Sequence, residues 1–591
     1  MRRYQTILLL LGILFIVFTG CEKWSGHDKY TRPEWLPGKL YTSVLVQKDL
    51  GLFAECLRLT GLDTILDVSG SWTVFAPTDE ALRQYLVENK YSGLSDIPKE
   101  ELDKIIKFHI IQNPWSLEQL KNLGVNGWKT AEDGNSNPYA YKRETILKNS
   151  DEKYWIKSGN KKEVIVVDSA KSRSYKKVFV QSRKYVPIFF DTYLTKNSIT
   201  PEDYKFYFDR VYVPGNVYYA DAMIIRPDIL AENGFVHIVD RVVTPMPNAK
   251  EILDKKEMVG ESYKLFLEMV YWYYPIFEPN LTATYKQPAA RLGAMVDTLW
   301  DLNYSTLAFD LHKERFDNIN QTLIRHNGLI APADETFRKF IDGTLTAKSG
   351  FPHWSDTKSL PNDVVELIVA QNFKSLPLYP STSSYQKIFK GANRYHQNES
   401  AIIKKEFGSN CTFIGLETYI PDRAFTSVTG PVFCRPGFSI FRRAIVYSGV
   451  LDAIANYKGK LYFFPIPDYA LMADSSLLLN WIDKNKNSYN FMAYNRMKHQ
   501  MENIGSNTLK NWILNQVGTS TNNASTGKEI IRTLGGRYVT WDHCNNTIQG
   551  TYPGTFGYKG DIVTISSPVP LNEPTDNGKS LAVDYWFNFG N

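Results

Sequence analysis

The 591-residue chain is poor in cysteine, with five in all. After Cys21 only Cys56, Cys411, Cys434 and Cys544 remain, and no CxxC pair occurs among them. So sparse a set argues against a disulfide framework and against a structural zinc site. Cys411 and Cys434 flank one segment, and whether they pair stays open. An excess of one charge is lacking too: 68 Lys and Arg face 62 Asp and Glu, a formal net charge of +6. The signs are interspersed, which argues against nucleic acid as a partner. After Phe18 no run is long and apolar enough to read as a membrane span. Recognisable reaction machinery is missing as well: no G-x-S-x-G elbow, no P-loop, no H-E-x-x-H, no dinucleotide glycine fingerprint and no calcium loop. The reading is therefore of a chain without cofactor, metal or catalytic residues. Its many carboxylates still leave room for an acid pair assembled only by the fold.

What is present is ample core material. Hydrophobic residues make up 43 % and aromatics 14 % of a chain too long for one core, which points to about three or four domains. At the N-terminus Arg2 and Arg3 precede the apolar run Ile7 to Phe18, too short for a comfortable span and suited to an export signal. The following Phe18-Thr19-Gly20-Cys21 resembles a bacterial lipobox. By that resemblance residues 1–20 are the signal, Cys21 is the lipidated mature N-terminus, and the polar, proline-bearing stretch 21–38 is a tether.

The stretch SWTVFAPTDEALRQYL, residues 71–86, reads as a buried strand, a stop at Pro77 and a helix. Thr78 or Asp79 suits the helix cap, Asp79 and Glu80 suit its first turn, and Leu82, Tyr85 and Leu86 form one apolar face. The order recurs in LIAPADETFRKFI, 329–341, where Asp334, Phe337, Phe340 and Ile341 keep the same offsets. A looser third version is KLYFFPIPDYALM, 460–472. Repetition of this kind indicates duplicated modules.

Three segments now carry a resemblance. TVFAPTDEAL at 73–82, LDKIIKFHII at 102–111 and NGFVHIVDRVVTP at 233–245 follow one another as the hallmark segments of a fasciclin (FAS1) domain do. LPNDVVELIVAQNF, 360–373, stands at the second position of the next copy with Asn372 in place of the histidine, and its closing strand is sought around 430–446. The third copy offers LKNWILNQV, 509–517, and DNGKSLAVDYWF, 576–587. The resemblance implies an α+β fold of about three tandem FAS1-like modules, each a β-sheet wedge with packed helices. Module 1 would span 39–245 with an insertion near 128–222, module 2 would span 246–446, and a degenerate module 3 would span 447–591. Leu102, Ile105, Ile106 and Ile110 have helical spacing, and Asn233-Gly234 suits a tight turn before the last strand.

The insertion gathers cations among aromatics. Tyr154, Trp155, Lys161, Lys162, Lys176, Lys177 and Arg183, with Lys184 beside them, form a candidate binding patch for an anionic glycan or acidic partner, or the wet side of strands such as EVIVVDS and KKVFVQS. The run ESYKLFLEMVYWYYPIFEP, 261–279, places Leu265, Met269, Trp272 and Ile276 on one stripe, best explained by core packing. His109 and His237 sit in apolar settings where structural histidines are commoner than catalytic ones. In FAS1 domains the regions of Asp79 and His109 are also implicated in partner contacts, and the resemblance makes both candidates for that role.

FAS1 modules resemble adhesion and interaction domains in general, so the expected function is binding by a lipid-anchored protein of the cell envelope. The lipobox and the Asn-, Lys- and aromatic-rich sequence resemble surface lipoproteins of the Bacteroidetes. That resemblance implies the outer membrane as location and a TonB-dependent transporter with its SusD-like lipoprotein lid as partners, or a glycan or matrix ligand. The alternative is a hydrolase of surface polysaccharide or peptide.

Overall fold

The computed structural model describes residues 33–589 apart from 34, 69, 150–154, 159–162, 167–182, 256–261, 273–275, 305–306, 316–318, 347–352, 392–395, 484–487, 522–526, 552–558, 566–573 and 588. Cys21, Tyr154, Lys161, Lys162, Lys176 and Lys177 lie outside the described residues. The chain divides into two compact units. One gathers the described residues up to Leu147 with Tyr185–Tyr193 and Pro214–Pro245. The other takes Lys148–Lys184, Leu194–Val213 and everything from Met246 onward.

The first unit opens with helices α1 (Leu40–Leu45), α2 (Gly51–Leu59) and α3 (Leu62–Val68). Strand β1 (Trp72–Pro77) follows, β-branched and aromatic and buried along nearly its whole length, as a strand flanked on both sides must be. Helix α4 (Asp79–Glu88) buries Leu82, Tyr85 and Leu86, the face its spacing indicated. Helix α5 (Lys99–Phe108) buries Leu102, Ile105 and Ile106, but stops at Phe108. Ile110 belongs instead to strand β2 (Ile110–Gln112). Strands β3 (Lys142–Lys148), β4 (Arg183–Phe189), β5 (Tyr218–Tyr219), β6 (Ala222–Ala231) and β7 (Gly234–Val239) complete a closed barrel in the order β1-β7-β6-β5-β4-β3-β2. β7 runs parallel to β1 from Trp72 opposite Gly234 to Pro77 opposite Val239, and β2 runs antiparallel on the other side.

The insertion near 128–222 is thus not one appendage. It supplies β3, β4 and β5 to the barrel, while Trp155–Ser158 and Glu163–Val166 join Ile276–Pro279 and Leu299–Asn303 in a four-stranded sheet of the second unit. The expected strand in EVIVVDS is present at Glu163–Val166, and KKVFVQS lies outside the described residues.

The second unit repeats the central arrangement twice. Helices α6 (Ala249–Asp254) and α7 (Lys264–Trp272) precede β8 (Asn327–Pro332), α8 (Asp334–Phe340), α9 (Asn362–Val369), β9 (Phe373–Lys374), β10 (Ile402–Phe407) and β11 (Cys411–Leu416). β8 lies between antiparallel β9 and parallel β11. Next come α10 (Ser439–Tyr447), β12 (Leu461–Phe463), α11 (Asp468–Ala473), α12 (Ser506–Asn515) and β13 (Val517–Ser520). Strands β14 (Lys528–Thr533), β15 (Tyr538–Asp542), β16 (Thr547–Thr551), β17 (Lys559–Thr564), β18 (Pro574–Thr575) and β19 (Gly578–Ser580) end it. Here β12 lies between antiparallel β13 and parallel β19, within an eight-stranded sheet.

Three expectations need correction. The closing strand sought around 430–446 is β11, because 430–446 is helical: Ile440, Phe441, Ala444 and Ile445 bury one helical face of α10. The stripe in 261–279 is also rearranged. Helix α7 ends at Trp272, Ile276 begins a strand, and Phe266, Leu267, Met269 and Val270 are the buried residues, with Leu265 only partly covered. Finally, residues from 447 onward do not form a unit of their own. One continuous core runs from Ala249 to Phe587. Across it the buried Arg442 of α10 donates to Asp363 of α9 at 2.7 Å, with the guanidinium 5.5 Å from the Trp354 ring. The free cysteines among the described residues are Cys56, Cys411, Cys434 and Cys544, so Cys411 and Cys434 do not pair in this structure.

Candidate functional site: three copies of one polar joint

Thr78 caps its own helix, accepting from the Ala81 N–H at 3.1 Å. Asp79 reaches further. Its carboxylate accepts the N–H of Leu52, second residue of α2, at 2.7 Å. The second copy does the same: Asp334 accepts from Leu265, second residue of α7, at 2.8 Å and from the Ser262 hydroxyl at 2.6 Å. In the third, Asp468 accepts from Ile440, second residue of α10, at 2.8 Å and from the N–H and hydroxyl of Ser439. An acid at a helix N-terminus answers unpaired amides and the positive end of the helix dipole together. Each of these acids serves two helices.

His109 is fully buried between β1 and the segment after β7. Its Nδ1 lies 2.7 Å from the Phe75 carbonyl, and the Val243 N–H donates to Nε2 at 3.0 Å. That pairing assigns a neutral ring with its proton on Nδ1. Burial brings its pKa down to about 4, against the smaller upward pull of the two backbone bonds. Gln516 makes the same pair of bonds in the third copy: its Nε2 donates to the Phe464 carbonyl at 3.1 Å and its Oε1 accepts from the Phe587 N–H at 2.9 Å. Asn372 is buried at the corresponding place, just before β9. His237 is buried too, with Nε2 2.9 Å from the Trp115 carbonyl and Nδ1 accepting from the Asp228 N–H.

A third element of the joint escaped sequence reasoning. The residue just before the closing strand is Asn233, Asn410 or Asn577, and each uses both ends of its amide. Oδ1 accepts from the backbone of Leu40, Ala249 or Val428 at 2.8 to 3.0 Å. Nδ2 donates to a carbonyl of Leu66, of Leu311 and Lys313, or of Ile454. The backbone carbonyl of the same asparagine accepts from Trp72, Asn327 or Leu461 at the head of the central strand. Asn233-Gly234 is therefore not the expected turn pair, since Ala231 pairs with Gly234 and the turn is Glu232-Asn233. Gly234 is required for another reason: a Cβ there would collide with the Trp72 carbonyl oxygen, and at Gly578 with that of Leu461.

Of the basic patch, Trp155 lies on a described strand and Arg183 is half-buried at the start of β4. Lys184 is not on the surface. It is buried, donating to Glu314 at 2.8 Å, Glu251 at 2.9 Å and the Met246 carbonyl at 3.0 Å. Burial opposes its charge, but Glu314 and Glu251 outweigh that and hold the ammonium above the usual lysine range. Burial also raises the fully enclosed Glu314 against the pull of Lys184.

The second unit also holds a cavity of about 280 Å³ beside the start of β8, among whose lining residues are Tyr304, Phe309, Asp310, Lys313, Arg315 and Arg325. Its cations come from the basic run HKERFDNINQTLIRH, 312–326, a signal present in the sequence but diluted by intervening polar residues. Among the described residues no group of three or more His, Cys, Asp and Glu is placed to hold a metal, and no helix is long and apolar enough to cross a membrane.

Comparison with known proteins places the first repeat. Residues 48–179 match the Fasciclin domain family. The fasciclin domain so matched contains β1, α4, Asp79, α5 and His109. No curated protein matches the chain. Among solved structures, a FAS1 domain pair from the insect cell adhesion molecule Fasciclin I is similar at 10 % identity and a TM-score of 0.19, covering 65 % of this chain and 96 % of that one. The fold class is mixed α+β with a fasciclin domain, and at that general level adhesion or binding is the function it suggests.

Proposed function

We propose that the chain is a lipid-anchored binding protein of the cell envelope, built from three FAS1-like modules and acting through protein or glycan contacts. The observation that carries this reading is the use made of the polar residues most suggestive of chemistry. Asp79, His109 and Asn233, like Asp334, Asp468, Gln516, Asn410 and Asn577 in the later copies, hold strands and helices together. A partner contact at Asp79 or His109 would then act through the surface around the joint, because the imidazole itself is enclosed. Cys21 is the proposed site of lipidation, with the outer membrane as location. A TonB-dependent transporter and its SusD-like lipoprotein lid are the proposed partners, with a glycan or matrix component as ligand.

Replacing Cys21 by Ala tests the anchor. The variant should leave the envelope fraction and lose incorporated fatty acid while melting as the parent domain does. Retention in the membrane without fatty acid would contradict the reading.

A further inference from the structure

Between the strands Ile276–Pro279 and Leu299–Asn303 the second unit carries a lobe of two short helices, Leu281–Tyr285 and Pro288–Arg291, and an irregular return. Hydrogen bonds close it at its base and inside. The Asn280 N–H donates to the Leu299 carbonyl at 2.8 Å, the Leu299 N–H to the Thr284 hydroxyl at 3.0 Å, and the Gln287 amide to the Asp297 carbonyl at 2.7 Å. The polarity of this lobe is inverted. Ala283, Thr284 and Gln287 are buried, while Leu281, Tyr285, Leu292 and Met295 are 57, 68, 86 and 103 % exposed. A single exposed apolar side chain is ordinary, but four between positions 281 and 295, outside an interior that includes a threonine and a glutamine, form a surface suited to apolar contact. We propose that the lobe docks on a lipid surface, with these four side chains seated at the boundary between headgroups and acyl chains.

Shape, charge and residue type select lipid as the occupant. The tip from Leu292 to Met295 is exposed at every residue, and open space surrounds Gly293, where a φ of 75° turns the chain. Such a projection enters a fluid interface without needing a matching hollow. Residues 281–296 include Lys286 and Arg291 and no acid, and Lys286 is exposed, so the charge of the segment complements anionic headgroups. Tyr285 adds a side chain that is apolar along its ring and polar at its tip, the type enriched at membrane interfaces. A second copy seated symmetrically on the same face would bring like charges together, which disfavours self-association there. The inference rests on the membrane location proposed above and gives the second unit its own contact with the bilayer beside the lipid at Cys21. A contact of this size is weak and reversible alone, so the Cys21→Ala chain is still expected to leave the envelope fraction.

The test is spin labelling of the full-length lipidated chain reconstituted in vesicles of equal phosphatidylcholine and phosphatidylglycerol. C544S removes the exposed thiol, Cys56, Cys411 and Cys434 being buried. M295C or M497C then carries the label, Met497 being another exposed methionine of the same unit, and both labelled chains should melt with the parent. Accessibility to oxygen relative to a water-soluble nickel chelate should be several-fold higher at 295 than at 497, and the contrast should shrink in phosphatidylcholine alone or at raised salt. Equal ratios at the two positions would overturn the proposal. Dipolar coupling between labels at 295 would overturn it in favour of a second copy. A label at 295 that stays in water on vesicles and is immobilised only by added envelope proteins would overturn it in favour of a protein partner. Fatty acid incorporated at Cys21 is measured on the same preparation, which separates failure of the lobe from failure of the membrane reading.

Discussion

Asp79, Asp334 and Asp468 each tie the start of one helix to the start of another. Truncating one leaves an amide at a helix N-terminus without its acceptor. Asp79→Ala is expected to lower the stability of the first unit by about 1–2 kcal/mol, seen as a lower denaturant midpoint at unchanged slope. An unmoved midpoint would contradict the joint. His109 makes a sharper prediction because Gln516 does its work without titrating. Burial pulls the His109 pKa from 6.5 to about 4, so the unfolded chain binds more protons than the folded one below pH 6.5. Its contribution is complete above that pH and is lost toward pH 4 at roughly 1.4 kcal/mol per unit. His109→Gln should therefore match the parent near pH 8 and outlast it near pH 5 in thermal melts. A variant that keeps the parent's acid sensitivity would refute this role. The acid was legible in the sequence as a repeated letter in a repeated order, whereas the histidine was legible only through the fasciclin resemblance, since Asn372 and Gln516 stand in its place in the later copies. The asparagine was not, because Asn-Gly is also the commonest spelling of a tight turn, and only the pairing of Ala231 with Gly234 separates the two meanings.

At the scale of elements, local pattern was a sound guide wherever one face was wet. The buried stripes of α4, α5 and α8 fall on Leu82, Tyr85 and Leu86, on Leu102, Ile105 and Ile106, and on Phe337 and Phe340, as their spacing indicated. β11 was missed because all six of its residues are buried, and a strand covered on both faces has no alternation to reveal it. The contribution of the insertion to two different sheets was illegible for a related reason, since strand partners distant in sequence leave no periodic trace. Two changes test the packing of elements. Gly234→Ala forces a methyl onto the Trp72 carbonyl oxygen and should destabilise the first unit far more than the same change at Gly93, where nothing lies within 4 Å and the backbone is extended. Asp363→Ala strands the buried Arg442 guanidinium and should cost about 3–5 kcal/mol in the second unit, measured by chemical denaturation. A loss below about 1 kcal/mol, the scale of an exposed ion pair, would show that water reaches the guanidinium.

On the scale of the molecule, repetition of sequence and division into units are different things. Three copies of the joint are present, yet the second and third share a core and the Asp363–Arg442 bridge. Scanning calorimetry should accordingly resolve two unfolding transitions, the larger one being the second unit. Three separable transitions would mean that the shared core does not couple its halves. Such coupling also bears on binding, because two modules fixed together present one surface, whereas tethered modules would add avidity. The central claim is that the chain acts by holding a partner. It is tested most directly by affinity capture of the intact lipidated protein from mild-detergent envelope extract, with co-purifying chains quantified by mass spectrometry. The account predicts stoichiometric recovery of a TonB-dependent transporter with its lipoprotein lid. Recovery of the chain alone, together with cleavage of envelope polysaccharide by the purified protein, would contradict it.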